Sequence, residues 1–262
     1  MSEAAADVVL FELVGDNIAL VTLNRPEKRN AVNMALAQGM DAAVKRSEAD
    51  PDIRVVILTS SNDSVFCAGA DLAEVAAGNA RQLYTPDGGF GGFVASRRRK
   101  PWIAAAKGQV LAGGMEFCLA CDMIVAAEDA RFGLPEVKRS LVAGAGGVTR
   151  LPKAIPRNIA LEIIATGDPI DARRAYDVGL VNRLAPPGQV LEAAKALARA
   201  IAVNAPLAVY EAVGVAKQAM ILDDEAGEAL VREALDRIRG SEDFKEGPRA
   251  FVEKRPPVWK GR

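Results

Sequence analysis

Residues 112–120 read Ala-Gly-Gly-Met-Glu-Phe-Cys-Leu-Ala, an apolar stretch that opens on two glycines and carries one acid. The pattern predicts a buried helix whose first-turn N–H groups are unpaired, and glycine lets a ligand approach that backbone closely. The helix dipole favours negative charge at the same place, and Glu116 lies one turn from Gly113 on the same face. A tight helix–helix crossing with Glu116 as a capping acid explains these residues equally well.

Two other glycine-bearing segments flank this stretch. Residues 66–72 read Phe-Cys-Ala-Gly-Ala-Asp-Leu, and residues 132–136 read Phe-Gly-Leu-Pro-Glu. The first is also compatible with an ordinary strand-to-helix turn in which Asp71 is the N-cap. The chain has no histidine, so a Ser-His-Asp triad is excluded and Glu116 and Glu136 are the candidates for acid–base chemistry.

Composition limits the classes of function. The chain has 262 residues, 50% of them hydrophobic, with a net charge of −1 and a pI of about 5.8. This balance gives no positive field for nucleic acid or an anionic membrane surface. The basic run at residues 97–100 is either a solvated face or a contact to substrate phosphates. The start of the chain, residues 1–7, lacks the pattern of a signal peptide, and no apolar run approaches the ~18 residues of a membrane span.

The cysteines indicate a reduced compartment. Three cysteines, an odd and small number, argue for a cytoplasmic protein without a disulfide framework. Cys118 and Cys121 match C-x-x-C, but no second pair or histidine completes a zinc site, so we expect no metal. The Gly-Ala-Gly-Gly run at 144–147 is not a dinucleotide fingerprint.

Hydrophobic periodicity predicts an α/β core followed by helices. The first two strands read as a hairpin, Asn33 caps a helix to about Glu48, and three apolar strands follow, at Val55–Thr59, Trp102–Ala106 and Met123–Ala127. Residues 78–92 are glycine-rich and read as a mobile loop that shapes a substrate pocket. Beyond residue 150 the spacing is helical. We therefore expect a core at residues 1–195 and a helical region at 196–262 that packs on a neighbouring chain.

Six segments together resemble one family. They are residues 24–31, 66–72, 113–116, 132–136, 144–147 and 246–255. In order and spacing they are similar to the crotonase (enoyl-CoA hydratase/isomerase) superfamily over essentially the whole chain. The resemblance implies an α/β spiral of repeated ββα units, a C-terminal helical trimerisation region, a homotrimer or dimer of trimers, and an acyl-CoA thioester substrate.

The resemblance also implies roles for particular residues. Glu116 would orient and activate a water molecule, Glu136 would donate a proton to Cα, and the backbone N–H groups of Ala68 and Gly113 would form the oxyanion hole. Coenzyme A or substrate would be bound by a larger set: Arg25, Lys28, Ala31, Ala68, Gly69, Ala70, Asp71, Leu72, Gly144, Phe251 and Lys254. Phe251 and Lys254 match positions that often reach the coenzyme of a neighbouring subunit. No metal or redox cofactor is implied, because coenzyme A arrives with the substrate.

The retained pair of glutamates favours an enoyl-CoA hydratase. The ending of the chain is also similar to crotonobetainyl-CoA hydratases of carnitine metabolism, and Leu134, Lys138, Arg139 and Ala143 depart from short-chain hydratases. An enoyl-CoA isomerase is a further alternative, although isomerases usually retain only the position of Glu136. A protein that binds CoA thioesters or RNA while keeping the fold is the non-enzyme alternative.

Overall fold

A computed structural model describes residues 8–262, so the expectation about a signal peptide at residues 1–7 lies outside the described chain. The strands are β1 (Val9–Leu13), β2 (Ile18–Leu23), β3 (Val55–Ser60), β4 (Val65–Cys67), β5 (Tyr84–Thr85), β6 (Gly89–Phe90), β7 (Trp102–Ala106), β8 (Gln109–Leu111), β9 (Met123–Ala127), β10 (Arg131–Gly133), β11 (Ile170–Asp171) and β12 (Arg183–Ala185). The helices are α1 (Met34–Ala49), α2 (Leu72–Ala76), α3 (Gly113–Ala120), α4 (Gly147–Ala154), α5 (Arg157–Thr166), α6 (Ala172–Asp177), α7 (Val190–Ala202), α8 (Pro206–Ala219), α9 (Asp224–Arg239) and α10 (Glu242–Glu253).

Two sheets build the core. One sheet has the order β1-β2-β3-β7-β9-β12, in which β1 is antiparallel to β2 and the other neighbours are parallel. The second has the order β11-β10-β8-β4. Each passage of the chain adds one strand to each sheet and then a helix: β3, β4 and α2, followed by β7, β8 and α3. This repeat is the expected spiral of ββα units, and the prediction is confirmed.

The long strands and the helix caps agree with the predictions from the sequence. Every residue of β3 and β7 is buried, as expected for continuous apolar strands in a parallel sheet. Asn33 caps α1 by accepting the Leu36 N–H at 2.9 Å, and Asp71 caps α2 by accepting the Ala73 N–H at 3.1 Å. The three-residue strands β4, β8 and β10 were not predicted, because three residues are too few to show a period. Helix α4 was also missed, since it contains Pro152.

Helix α7 continues the core past the expected boundary. It buries Ala194 and Ala198 and packs across β2, β3, β7 and β9. Residue 195 lies inside this helix, and the division into a core and an oligomerisation region stays a prediction. In the described chain no single helix meets the length and apolarity of a membrane span; α7 and α8 meet them only as a pair bent by 105°.

The glycine-rich segment 78–92 is folded rather than structureless. It forms a short 3₁₀ turn at Ala80–Leu83 and the β5–β6 ribbon. Gly92 packs so closely on α1 that a Cβ there would lie 2.0 Å from the Ala37 carbonyl oxygen. Phe90 is 5% exposed. The segment therefore forms a wall against the core, in the place where the sequence predicted a loop.

Both interpretations of the basic run fail for Arg98 and Lys100. The Arg98 guanidinium stacks 4.1 Å from the Phe93 ring centroid and donates to the Ala120 carbonyl. The Lys100 Nζ donates to the Ser47 carbonyl at 2.6 Å and to the Asp50 carbonyl at 2.5 Å. These two cations hold buried carbonyls together and are neither a solvated face nor a phosphate site.

Candidate active site

Glu116 is a buried acid at the start of α3. The residue lies in the first turn of the helix and is only 3% exposed. Oε1 accepts the Gly147 N–H at 2.9 Å. Burial raises the pKa of this carboxyl, while hydrogen bonds from the backbone of Gly147 and Ala145 oppose the rise. The site thus holds a carboxylate that protonates more readily than one in water.

Glu136 is a second acid with an unused oxygen. It lies in the 3₁₀ turn Pro135–Arg139 that follows β10, and its Oε2 is buried without a hydrogen-bond partner among the described residues. Burial raises its pKa to about 7, and the negative charge of Glu116 adds to the rise. Two interacting carboxyls whose pKa values are both raised are typical of acid–base sites.

Two unpaired backbone N–H groups lie beside each other near these acids. The turn at 68–71 is held by the Val32 N–H on the Gly69 carbonyl at 2.7 Å and the Asp71 N–H on the Val32 carbonyl at 3.0 Å. Between these bonds the Ala70 N–H donates to no backbone carbonyl in the described chain. A Cβ on Gly69 would lie 2.9 Å from the Gly113 nitrogen, so the turn and the start of α3 are in contact.

The structure corrects one of the two predicted donors. The Ala68 N–H already donates to the Arg29 carbonyl at 3.0 Å, whereas those of Ala70 and Gly113 have no such partner over residues 8–262. Arg29 is in the left-handed region, with φ of 53°, which turns its carbonyl toward Ala68. The available pair is therefore Ala70 and Gly113, not Ala68 and Gly113.

Ala112 enters α3 through a strained conformation. Its φ of 50° and ψ of −125° are rare for a residue with a side chain. The Ala112 N–H donates to the Gly133 carbonyl and its own carbonyl accepts the Glu116 N–H, both at 3.0 Å. This conformation directly precedes the unpaired Gly113 N–H and costs about 1–3 kcal/mol in strain.

One cavity of about 480 Å³ brings the predicted residues together, a volume suited to a small ligand. Seven of them line it: Ala68, Ala70, Leu72, Gly113, Glu116, Glu136 and Gly144. The rest of the wall was not assigned from sequence and includes Arg29, Tyr84, Phe90, Leu111, Arg139, Leu141 and Val142. Tyr84 and Phe90 come from the glycine-rich segment, as its predicted role in a pocket suggested, and their rings meet edge to face at 5.5 Å.

Arg25 and Asp71 bind each other instead of lining the cavity. Arg25 Nη1 donates to Asp71 Oδ2 at 2.7 Å and to the Ala31 carbonyl at 3.1 Å. The two side chains are 8% and 14% exposed. Burial raises the pKa of Asp71. The hydrogen bonds from Arg25 and from two backbone N–H groups outweigh this effect, so the net shift of the pKa is downward. The predicted contact of Arg25 with the coenzyme stays a prediction.

We expect Arg25→Met to destabilise the protein by about 1–3 kcal/mol, because the Asp71 carboxylate loses its arginine partner and keeps only its two backbone donors. Urea unfolding of the variant beside Lys28→Met, a change at an exposed neighbour, measures the difference. Unchanged stability together with a higher KM for a CoA thioester would instead support Arg25 as a coenzyme contact.

The remaining predicted coenzyme residues lie outside the cavity of their own chain. Lys28 and Lys254 are exposed, and Phe251 is 86% exposed. The Ala31 carbonyl accepts from Arg25, and Gly69 packs against the Gly113 backbone. Among residues 8–262 no cluster of histidine, cysteine or acidic side chains has the arrangement of a metal site.

Comparison with known proteins gives one family. The model of the enoyl-CoA hydratase/isomerase family matches residues 14–262. A carnitinyl-CoA dehydratase of Salmonella typhi is 39% identical over 247 residues, which cover 92% of this chain and 94% of that protein. The crystal structure of an enoyl-CoA hydratase from Mycobacterium tuberculosis H37Rv has a TM-score of 0.93 at 44% identity and covers 98% of this chain and 100% of that one. A carnitinyl-CoA hydratase from Mycobacterium avium has a TM-score of 0.77 at 44% identity, covering 98% and 99% of the two chains.

Proposed function

Because the chain belongs to the enoyl-CoA hydratase/isomerase family, we propose that it is an enoyl-CoA hydratase, which adds water reversibly across the double bond of a 2-trans-enoyl-CoA. The observation that carries this proposal is the pair of acids, Glu116 and Glu136, in one cavity with two unpaired N–H groups. Hydration needs a group that activates water, a proton donor and a site for negative charge on the thioester oxygen. The cavity contains candidates for all three.

In the proposed mechanism the thioester oxygen accepts hydrogen bonds from the N–H groups of Ala70 and Gly113. Negative charge builds on this oxygen as water attacks Cβ, and each backbone donor of this kind typically contributes about 3–4 kcal/mol to lowering the barrier. Glu116 and Glu136 share the attacking water, and Glu116, held by Gly147, orients it and takes its proton. Glu136 donates a proton to Cα, a role that its raised pKa favours.

We expect a bell-shaped dependence of kcat/KM on pH. Glu136 must be protonated to act as the donor, and its pKa is about 7, so the rate falls as pH rises through about 7. Glu116 must be ionised, so the rate also falls on the acidic side, and the two limbs report the macroscopic values of a coupled pair. Initial rates across the stability range of the protein measure the profile. A rate independent of pH from about 5 to 9 would contradict this assignment.

The test of the activity is to incubate the protein with 2-trans-enoyl-CoA esters of increasing chain length and analyse the products by mass spectrometry. A product heavier by one water supports hydration. An unchanged mass with a moved double bond would show an isomerase, and binding without turnover would show a CoA-thioester binding protein.

The charges of the cavity favour an acyl group without a positive charge. The charged side chains that line it are Arg29, Glu116, Glu136 and Arg139. Arg139 lies near enough to Glu136 for its positive charge to lower the pKa of that acid. A trimethylammonium group on Cγ, as in crotonobetainyl-CoA, would be attracted by ionised Glu116 and repelled by Arg29 and Arg139. When Glu136 is protonated, as the mechanism requires, the two arginines outnumber the one carboxylate. We propose a neutral acyl chain as the preferred substrate, with crotonobetainyl-CoA as the alternative that the carnitinyl-CoA relatives suggest.

We expect kcat/KM for crotonobetainyl-CoA to be roughly 5–10-fold below that for its neutral isostere with a tert-butyl group, a difference of about 1 kcal/mol, because the net positive charge of the wall opposes a cationic acyl group. Arg139→Leu should bring the kcat/KM values of the two esters close to each other. Lys138→Leu, one residue away and paired with Asp168, is the control. Equal or better use of the cationic ester by the parent protein would identify the alternative substrate.

Assembly, cofactors and compartment are further parts of the proposal. The C-terminal region exposes large apolar side chains, among them Phe251 at 86%, Val252 at 78% and Ile221 at 69%. Burying them supports a homotrimer or a dimer of trimers, in which Phe251 and Lys254 reach the coenzyme of a neighbour. The carboxyls and backbone donors supply the groups that hydration needs, so we propose no metal or redox cofactor. The free cysteines support a cytoplasmic location.

A further inference from the structure

The loop at residues 144–147 holds Glu116 in place. The Gly147 N–H donates to Oε1 at 2.9 Å, and the backbone of Ala145 is the second donor to this carboxylate. Because Glu116 is 3% exposed, water does not replace these donors. The direction in which the acid points therefore depends on the position of the loop.

Arg150, on the first turn of α4, lies directly against this loop. Its Nη1 donates to the Ala145 carbonyl at 3.0 Å and its Nη2 to the Val94 carbonyl at 2.5 Å. Gly146 has φ of +113°, and a Cβ there would lie 1.7 Å from Nη1. The guanidinium thus occupies the space that any side chain at residue 146 would need.

The same guanidinium is linked to the wall of the cavity through Val94. The Val94 N–H donates to the Phe90 carbonyl at 3.4 Å, and Phe90 lines the cavity with its ring centroid 6.1 Å from that of Phe117 of α3. One planar group with donors on both sides bridges the two carbonyls, which an ammonium group on a flexible stem does less well. Arg150 therefore joins the loop of the acid to the aromatic wall.

The charge of Arg150 also acts on Glu116. Burial lowers the pKa of Arg150 and the nearby Glu116 raises it, while the charge of Arg150 lowers the pKa of Glu116 against burial. Each member of the pair also acts on other ionisable groups: in addition to burial, the negative charge of Glu116 raises the pKa of Cys67, Tyr84 and Glu136, and the charge of Arg150 lowers the pKa of Arg98. In the described chain, Arg150 is the cation that favours the ionised form of Glu116.

We propose that Arg150 is a positioning residue, which fixes the loop at residues 144–147 and thereby keeps the Glu116 carboxyl aimed at the catalytic water. The inference rests on the proposed hydration reaction. It assigns to Arg150 an effect on kcat and on the acidic limb of the pH profile, and little effect on binding of the coenzyme.

The test compares Arg150→Met and Arg150→Lys with Lys153→Met, a change of an exposed cation on the same helix. Arg150→Met should lower kcat for crotonyl-CoA roughly 10–100-fold, move the acidic limb to higher pH, and change KM less than about threefold. Arg150→Lys should keep the parental acidic limb, because the charge remains, with an intermediate kcat. Lys153→Met should match the parent protein.

Two outcomes would overturn the proposal. One is a folded Arg150→Met protein with the parental pH profile and a kcat within about twofold of the parent. The second is an Arg150→Lys protein with the parental kcat. This outcome is the test to use if Arg150→Met does not fold. Carbon-13 NMR titration of the Glu116 carboxyl in a Glu136→Gln background measures the effect of Arg150 on the pKa of Glu116 without turnover. A parent protein that hydrates no enoyl-CoA would instead reject the proposed function, while the titration would still report on Arg150.

Discussion

Replacing Glu136 with glutamine is expected to lower kcat for crotonyl-CoA about 10³-fold, within the 10²–10⁴ range of general acid catalysis. Glutamine keeps the shape of the side chain but has no proton to give to Cα. Because Oε2 of Glu136 has no partner in the described structure, the variant should fold and bind the thioester with little change in KM. Exchange of the Cα proton with solvent deuterium should be lost together with hydration.

Glu116→Gln should show a loss of similar size, and the double variant should be little worse than the poorer single variant, because both acids act on one water molecule. Glu128→Gln, an exposed carboxylate beyond β9, is the matched control and should retain parental activity. Independent, multiplying losses in the double variant would show that the two acids serve separate steps. Full activity in either single variant would reject the shared-water mechanism.

Gly114→Ala is expected to damage both stability and catalysis. A Cβ at Gly114 would lie 2.2 Å from the Cys67 carbonyl oxygen and 3.0 Å from its carbonyl carbon. Neither atom can move without shifting the turn that carries Ala70, so α3 and its Gly113 N–H must move instead. We expect a loss of about 1–3 kcal/mol in the free energy of unfolding, by overpacking, and a fall in kcat of about 10²-fold.

Gly227→Ala is the control for the general effect of replacing a helical glycine with alanine, without a close contact such as the one at Gly114. In the described chain nothing lies within 4 Å of a Cβ at Gly227 in α9. This variant should gain about 0.5–1 kcal/mol, because alanine loses less backbone freedom than glycine on folding. Urea unfolding and initial rates measure both variants. If Gly114→Ala behaved like Gly227→Ala, the contact between α3 and the turn at Cys67 would not determine the site.

The sequence predicted the parts of the site that depend on short-range pattern. The two glycines at the start of α3, the acid one turn on and the second glycine-bearing acid led to Glu116 and Glu136, which the structure brings to one cavity. The long buried strands and the caps at Asn33 and Asp71 followed from apolar runs and cap residues. These signals each span fewer than about ten residues, so one sequence is enough to read them.

The errors concern contacts between distant segments. Whether the N–H of Ala68 or of Ala70 is available depends on the carbonyl of Arg29, which reaches Ala68 through a left-handed backbone. The ion pair of Arg25 with Asp71, 46 residues away, was not foreseen either. The buried role of Arg98 depends on the Ala120 carbonyl, 22 residues away. Local propensity carries no information about such partners.

The most direct test of the central claim is to add the purified protein to crotonyl-CoA and follow the absorbance of the conjugated enoyl thioester. We predict a rapid, enzyme-dependent loss that ends at the equilibrium mixture of crotonyl-CoA and 3-hydroxybutyryl-CoA, approached equally from the hydroxy ester. No change in absorbance from either direction, with the thioester shown to bind, would contradict the assignment of Glu116 and Glu136 as a hydration pair.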